Sequence, residues 1–176
     1  YTLNGNTLAA NYEITKVEGT LTVTAITTQI VITAASDSKK YDGTPLTNAG
    51  YTYTQNVLAT GDTLTAVVAG TITNVGTADN VVTSYKVMRG STDVTANYTF
   101  GASVKGTLTI TKRVVTLTSA TDSKVYDGTA LTNNTVTVTG DGFATGEGAT
   151  YNVTGSRTDV GNSPNAFTYT LNDNTL

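Results

Sequence analysis

Read as residues alone, the chain is expected to be all-β, a tandem series of antiparallel β-sandwiches of about 85 residues each. The expectation rests on threonine alternation, on the lack of any place for a helix, and on a long internal repeat. Forty-one of the 176 residues are Thr, and the regular segments read as Thr alternating with an aliphatic residue. Thr, Val and Ile are stiff at χ1 and pack well on a pleated surface, and a period of two puts one kind of side chain on each face.

Taken in chain order, candidate strands fall at residues 20–24, 30–33, 107–111, 114–118 and 136–139. Each sets aliphatic side chains against hydroxyls, the pattern of a sheet with one wet face. The repeat organises them. Lys39-Lys40-Tyr41-Asp42-Gly43-Thr44 returns 85 residues later as Lys124-Val125-Tyr126-Asp127-Gly128-Thr129, and the register holds without a gap as far as Asn80 and Asn165. Ala10-Asn11-Tyr12 followed by Gly19-Thr20-Leu21-Thr22-Val23-Thr24 matches Ala96-Asn97-Tyr98 followed by Gly106-Thr107-Leu108-Thr109-Ile110-Thr111. These pairs read as the two closing strands of a repeat. Residues 1–26 are therefore expected to close a preceding or neighbouring-copy repeat, residues 27–112 to form a complete one, and residues 113–176 to form one lacking its last two strands. Residues 1–8 match residues 169–176 at seven of eight positions, which makes the chain about two periods plus an overlap.

A two-stranded ribbon alone is marginal in water, and a sandwich without its last strands exposes an open edge. Two ways of filling the gaps stand side by side. Residues 1–24 of one copy could complete the last repeat of the next by strand donation, or covalent neighbours in a longer chain could supply the same contacts.

Composition excludes several chemistries. Without His or Cys there is no Ser-His-Asp triad, thiol nucleophile, ordinary zinc site or disulfide framework. Glu occurs only at Glu13, Glu18 and Glu147, so the complete repeat holds no Glu for a glycosidase pair. An enzyme is not expected, and no cofactor. A net charge of −3 with scattered Lys and Arg leaves no footprint for nucleic acid. The apolar runs are too short to span a bilayer and no charged-then-apolar leader precedes Tyr1, so any export signal or anchor is expected outside these residues.

In Tyr41-Asp42-Gly43-Thr44 and its copy Tyr126-Asp127-Gly128-Thr129, Asp can accept backbone N–H bonds and Gly can take positive φ, which suits a tight turn with Tyr on the core. Tyr98 and Tyr12 read as buried rings whose hydroxyls bond nearby backbone. Asp141 and Glu147, in the Gly-rich stretch 140–148, are the best calcium candidates, although they are too few for an EF-hand-like loop. Lys39 and Asn97 are the residues to consider for a Lys-Asn isopeptide bond, with a solvated Lys39 the simpler reading. Asn97, Asn133 and Asn152 head Asn-x-Thr sequons.

A Lys before Tyr-Asp-Gly-Thr, then Ala96-Asn97-Tyr98 and Gly106 to Lys112, resembles the YDG and MBG-type repeats found in tandem in very large bacterial surface and secreted proteins. The resemblance implies an extracellular Ig-like sandwich used as a spacer in adhesins and cell-surface fibres, with copies of itself or adjacent repeats as end-to-end partners. It implies no catalytic residues. A ligand-binding adhesin module for glycan or host protein is the alternative expectation; its nearest signal, Tyr51 with Tyr53, becomes Val136 with Val138 in the second copy, as drifting core residues would. Lys112-Arg113 joins the repeats with no Pro- or Gly-rich linker, which points to a semi-rigid rod.

Overall fold

A computed structural model describes residues 1–172 of the chain. The protein is all-β, with thirteen strands, two single-turn 3-10 helices and no α-helix among the described residues. The last four residues of the expected overlap lie outside the described residues.

After the 3-10 helix Ala9–Asn11, the first strand-bearing segment, residues 26–111, opens with β1 (Ile26–Ile30), β2 (Ile32–Ala34) and β3 (Asp37–Lys40), one extended run with short breaks. The break between β1 and β2 falls at Val31, whose N–H donates to Thr54 Oγ1 at 3.0 Å instead of to a ladder. Then come β4 (Tyr51–Tyr53), a long antiparallel hairpin of β5 (Asp62–Ala69) and β6 (Gly76–Arg89), the short β7 (Thr92–Asp93), β8 (Tyr98–Phe100) and β9 (Gly106–Thr111). β9 lies between β3, to which it is parallel, and β6, to which it is antiparallel, giving the sheet order β3-β9-β6-β5. β2 pairs with β4, and β1 pairs in parallel with β8. The entering run 26–40 thus lies beside the leaving run 98–111 and points the same way.

Two apolar clusters hold this segment. Ile30 and Ile32 meet Leu64, Val87 and Tyr98 in one. In the other, Leu108 and Ile110 of β9 are 0% and 1% exposed and pack with Tyr41, Leu46 and Ala144. The alternation of β9 turns these two residues and Gly106 inward and leaves Thr107 and Thr111 in water. Gly106 is sterically required, since a Cβ there would lie 2.1 Å from the Ala35 carbonyl oxygen. Asn80 is fully buried, and its Nδ2 donates to the carbonyls of Ala35 and Asn48, both at 2.8 Å, tying β6 to two neighbouring segments.

Residues 113–172 form two ribbons. β10 (Val115–Ser119) pairs with β11 (Val136–Gly140), and β12 (Ala149–Val153) pairs with β13 (Phe167–Leu171). Asn165 repeats the bonds of Asn80, donating to Ala120 at 3.0 Å and Asn133 at 2.8 Å. Ala144 is the buried apolar residue this segment contributes among the described residues, and it is buried in the cluster of the preceding segment.

The expected strand at 20–24 does not form. Leu21 and Val23 are 100% and 98% exposed, although they match Leu108 and Ile110. The reason is pairing: β9 has neighbours on both edges and residues 20–24 have none among the described residues, and an unpaired strand leaves its backbone groups to water. Residues 122–125, counterparts of β3, lack strand structure for the same reason, since no β9 lies beside them. Tyr12 is 63% exposed, not buried, because none of the described residues folds over it.

Candidate functional site

The motif around Tyr41 is a turn closed by its own side chains. Asp42 Oδ1 accepts from Thr44 N at 2.9 Å, Thr44 Oγ1 at 2.7 Å and Lys39 Nζ at 2.7 Å, while Gly43 takes φ +78°. The second copy is built alike: Asp127 Oδ1 accepts from Thr129 N, Thr129 Oγ1 and Lys124 Nζ at 2.8–2.9 Å, and Gly128 takes φ +77°. These bonds stabilise the carboxylate form and hold both Asp side chains well below the ordinary range, the Lys contributing first. Lys39 is therefore not a solvated side chain. Its ammonium also donates to the Thr44 carbonyl at 2.8 Å and its side chain is only 23% exposed. Those bonds direct it into the turn, and Asn97 lies exposed in the one-turn helix Thr95–Asn97, so the geometry does not support the isopeptide pairing.

What the two copies do with their Tyr differs. Tyr126 is 60% exposed. Tyr41 is buried against Leu46, Leu108, Ile110 and Ala144, and its hydroxyl donates to Glu147 Oε1 at 2.5 Å. That bond, burial and the Glu147 charge push the Tyr41 hydroxyl up. Beside it Lys40 Nζ donates to Asp141 Oδ1 at 2.6 Å, which holds the Asp141 carboxyl below its usual range. Arg113, in the link between β9 and β10, donates from Nε to Gly142 O at 2.7 Å, from Nη1 to Tyr41 O at 3.2 Å, and from Nη2 to Asp141 O. Asp141 Oδ2 also accepts from Val114 N at 2.9 Å.

Stretch 140–148 therefore seats on the end of the preceding segment at the Tyr41 turn. Asp141 and Glu147, the two carboxylates considered for calcium, face Lys40 and Tyr41, and no group of three or more metal-ligating side chains gathers among the described residues. Glu147 corresponds to Asp62, which works within its own segment: Asp62 accepts from Arg89 Nε at 2.6 Å and from the Tyr98 hydroxyl at 2.5 Å, with 1% side-chain exposure. Arg89 first and Tyr98 second hold Asp62 low. Tyr98 accepts in turn from Ala59 N at 3.0 Å, so its hydroxyl bridges a carboxylate and a backbone N–H.

Lys40 and Ala144 were not among the residues the sequence singled out, and Arg113 was read only as part of a short link. The signal was in the differences between the copies: Lys40 becomes Val125, Asp141 stands where the first copy has Asn56, and Arg113 where it has Thr28. On the far side of the second segment, an open groove runs between Thr121 and Asp122 on one wall and Gly161, Asn162 and Asn165 on the other. It corresponds in position to the place β9 occupies between β3 and β6. No helix among the described residues is long and apolar enough to cross a membrane. Comparison with protein-family models, with curated proteins and with solved structures returns no match.

Proposed function

We propose that the chain is a non-catalytic structural module of an extracellular stalk, fibre or filament, in which Ig-like sandwiches of the YDG/MBG type stack end to end. The observation that carries this reading is the Tyr41 joint. Arg113 stands in the link itself and bonds both segments, Ala144 enters the apolar cluster of the preceding one, and no Gly or Pro interrupts residues 112–114. A joint of this kind converts added sequence into reach, because little freedom is left at the boundary. The carboxylates at the turns and the joint are engaged by Lys, Arg, Thr or Tyr, as structural groups are. Low charge with outward Thr keeps such a rod wet and lets rods lie side by side.

Immunogold labelling of intact producing cells tests the reading, with arrays of glycans and host matrix proteins probed in parallel. Label standing off the envelope without saturable binding on the arrays is the expected result. Label that needs lysed cells removes the stalk, and saturable binding to one ligand class replaces it with an adhesin module.

A further inference from the structure

Residues 19–24 carry the alternation of β9 with its apolar side chains in water, and the second segment carries the groove of β9 with Arg157 on its lining and no strand of the described residues between its walls. We propose that residues 19–24 of a second copy of this chain fill that groove, so that copies join head to tail through a strand given by one and received by the next. The inference rests on the end-to-end stacking proposed above. The β9 pairings set the register. Leu108 lies opposite Ala78 and Asp37, and Ile110 opposite Gly76 and Lys39. By the same spacing Leu21 meets Ser163 and Asp122, Val23 meets Gly161 and Lys124, and Thr22 lies between Asn162 and Ser123.

Three observations support it. The receiving wall is already shaped, since Asn165 holds Ala120 and Asn133 as Asn80 holds Ala35 and Asn48. The entering strand is closely tethered: the counterpart of β10 begins at Ile30, six residues after Thr24, where Val115 stands four residues after Thr111, so a donated strand can bring its own first segment to the place β10 takes at the Tyr41 joint with two residues to spare. Most telling are the charges. That second joint would set Val125 where Lys40 stands, Asn56 where Asp141 stands and Thr28 where Arg113 stands, with Tyr126 and Ala59 keeping the places of Tyr41 and Ala144. The Lys40, Asp141 and Arg113 charges are thus absent on both sides together, while Asp62 keeps a carboxylate at the Glu147 position; in the groove Arg157 replaces Ile72, and its guanidinium donates to the Asp159 and Val160 carbonyls. A departure is Pro164 at the Asp79 position, which removes one donor from the antiparallel wall and leaves the parallel wall 122–125 complete.

Gly19 gives the sharpest test. It has open space around it, whereas a Cβ at its counterpart Gly106 would lie 2.1 Å from a carbonyl oxygen. In sedimentation velocity over a concentration series, the 176-residue chain is expected to grow in mass. Gly19→Val is expected to stay monomeric with an unchanged thermal melt. Thr22→Cys combined with Asn162→Cys, in a chain with no other Cys, is expected to oxidise to a ladder of multimers, while Thr22→Cys with Ser163→Cys, one residue out of register, is not. A monomeric wild-type chain, association undiminished by Gly19→Val, equal ladders from both Cys pairs, or an oxidised monomer produced by folding back would each overturn the inference. Surface label with no ladder removes strand exchange and keeps the stalk; a ladder with label only inside cells does the reverse.

Discussion

Asn80 does structural work that its polarity would not suggest. Its amide satisfies two carbonyls in a place water does not reach, while its own Oδ1 has no hydrogen-bond partner. Asn80→Ala strands both carbonyls, and leaving buried acceptors unpaired costs about 2–3 kcal/mol in all. Asn165→Ala, at the partly buried counterpart beside an open groove, is expected to cost less, about 1 kcal/mol, because water can take over. Urea unfolding of the two variants measures the difference. Titration provides a second residue-scale prediction. Asp62, Asp93 and Asp141 have folded pKa values below their ordinary ones, so the stability they supply is present above about pH 4 and is lost as pH falls through the folded values. Tyr41 and Tyr98 are raised, so their contribution is present below about pH 10 and is lost as pH rises through the raised values. With no His or Cys, no side chain has an ordinary pKa between about 5 and 9. The urea midpoint is expected to be flat from about pH 5 to 9, with an acid fall that is shallower in Asp62→Asn.

At the scale of the element, β9 and residues 19–24 show what alternation can and cannot say. The face each side chain would turn inward was legible from period two alone, and β9, β10 and β11 lie within a residue of where that pattern put them. Whether a strand exists at all depends on a neighbour, and this is not local information, so residues 20–24 are strandless despite their pattern. Leu108→Ala is accordingly expected to cost about 2–5 kcal/mol, while Leu21→Ala leaves the melting temperature of the isolated chain unchanged. Calorimetry on both variants checks it. The turn at Tyr41 was readable because Asp, Gly and Thr act within two residues of one another. The fate of Lys39 was not, because it depends on how its long side chain curls back over that turn. Lys40 with Asp141, 101 residues apart, was beyond any local pattern.

The whole molecule depends on how firmly the Tyr41 joint holds. Its charged half is open to solvent at Lys40 and only partly buried at Asp141 and Arg113, and so is screened by salt in part, while its apolar half, Ala144 among Tyr41, Leu108 and Ile110, is not. Ala144→Asp puts a charge into that cluster. It is expected to loosen the second segment while the first stays folded, widening the small-angle scattering distance distribution with the main thermal transition kept. Raising salt to about 1 M shortens the Debye length to about 3 Å and is expected to reproduce only a minor part of this loosening. An unchanged scattering curve for Ala144→Asp would mean that the charged clasp alone sets the joint.

The entering and leaving runs lie side by side and point the same way, and that has a mechanical meaning. Tension applied at the two ends of the first segment drags β3 and β9 past each other along their length, so that the bonds of the parallel ladder are strained together instead of opening one after another from an end. Failure then requires the whole ladder to give way at once. A strand received from a neighbouring copy would be loaded in the same direction, and the links between copies would resist pulling in the same way as the modules themselves.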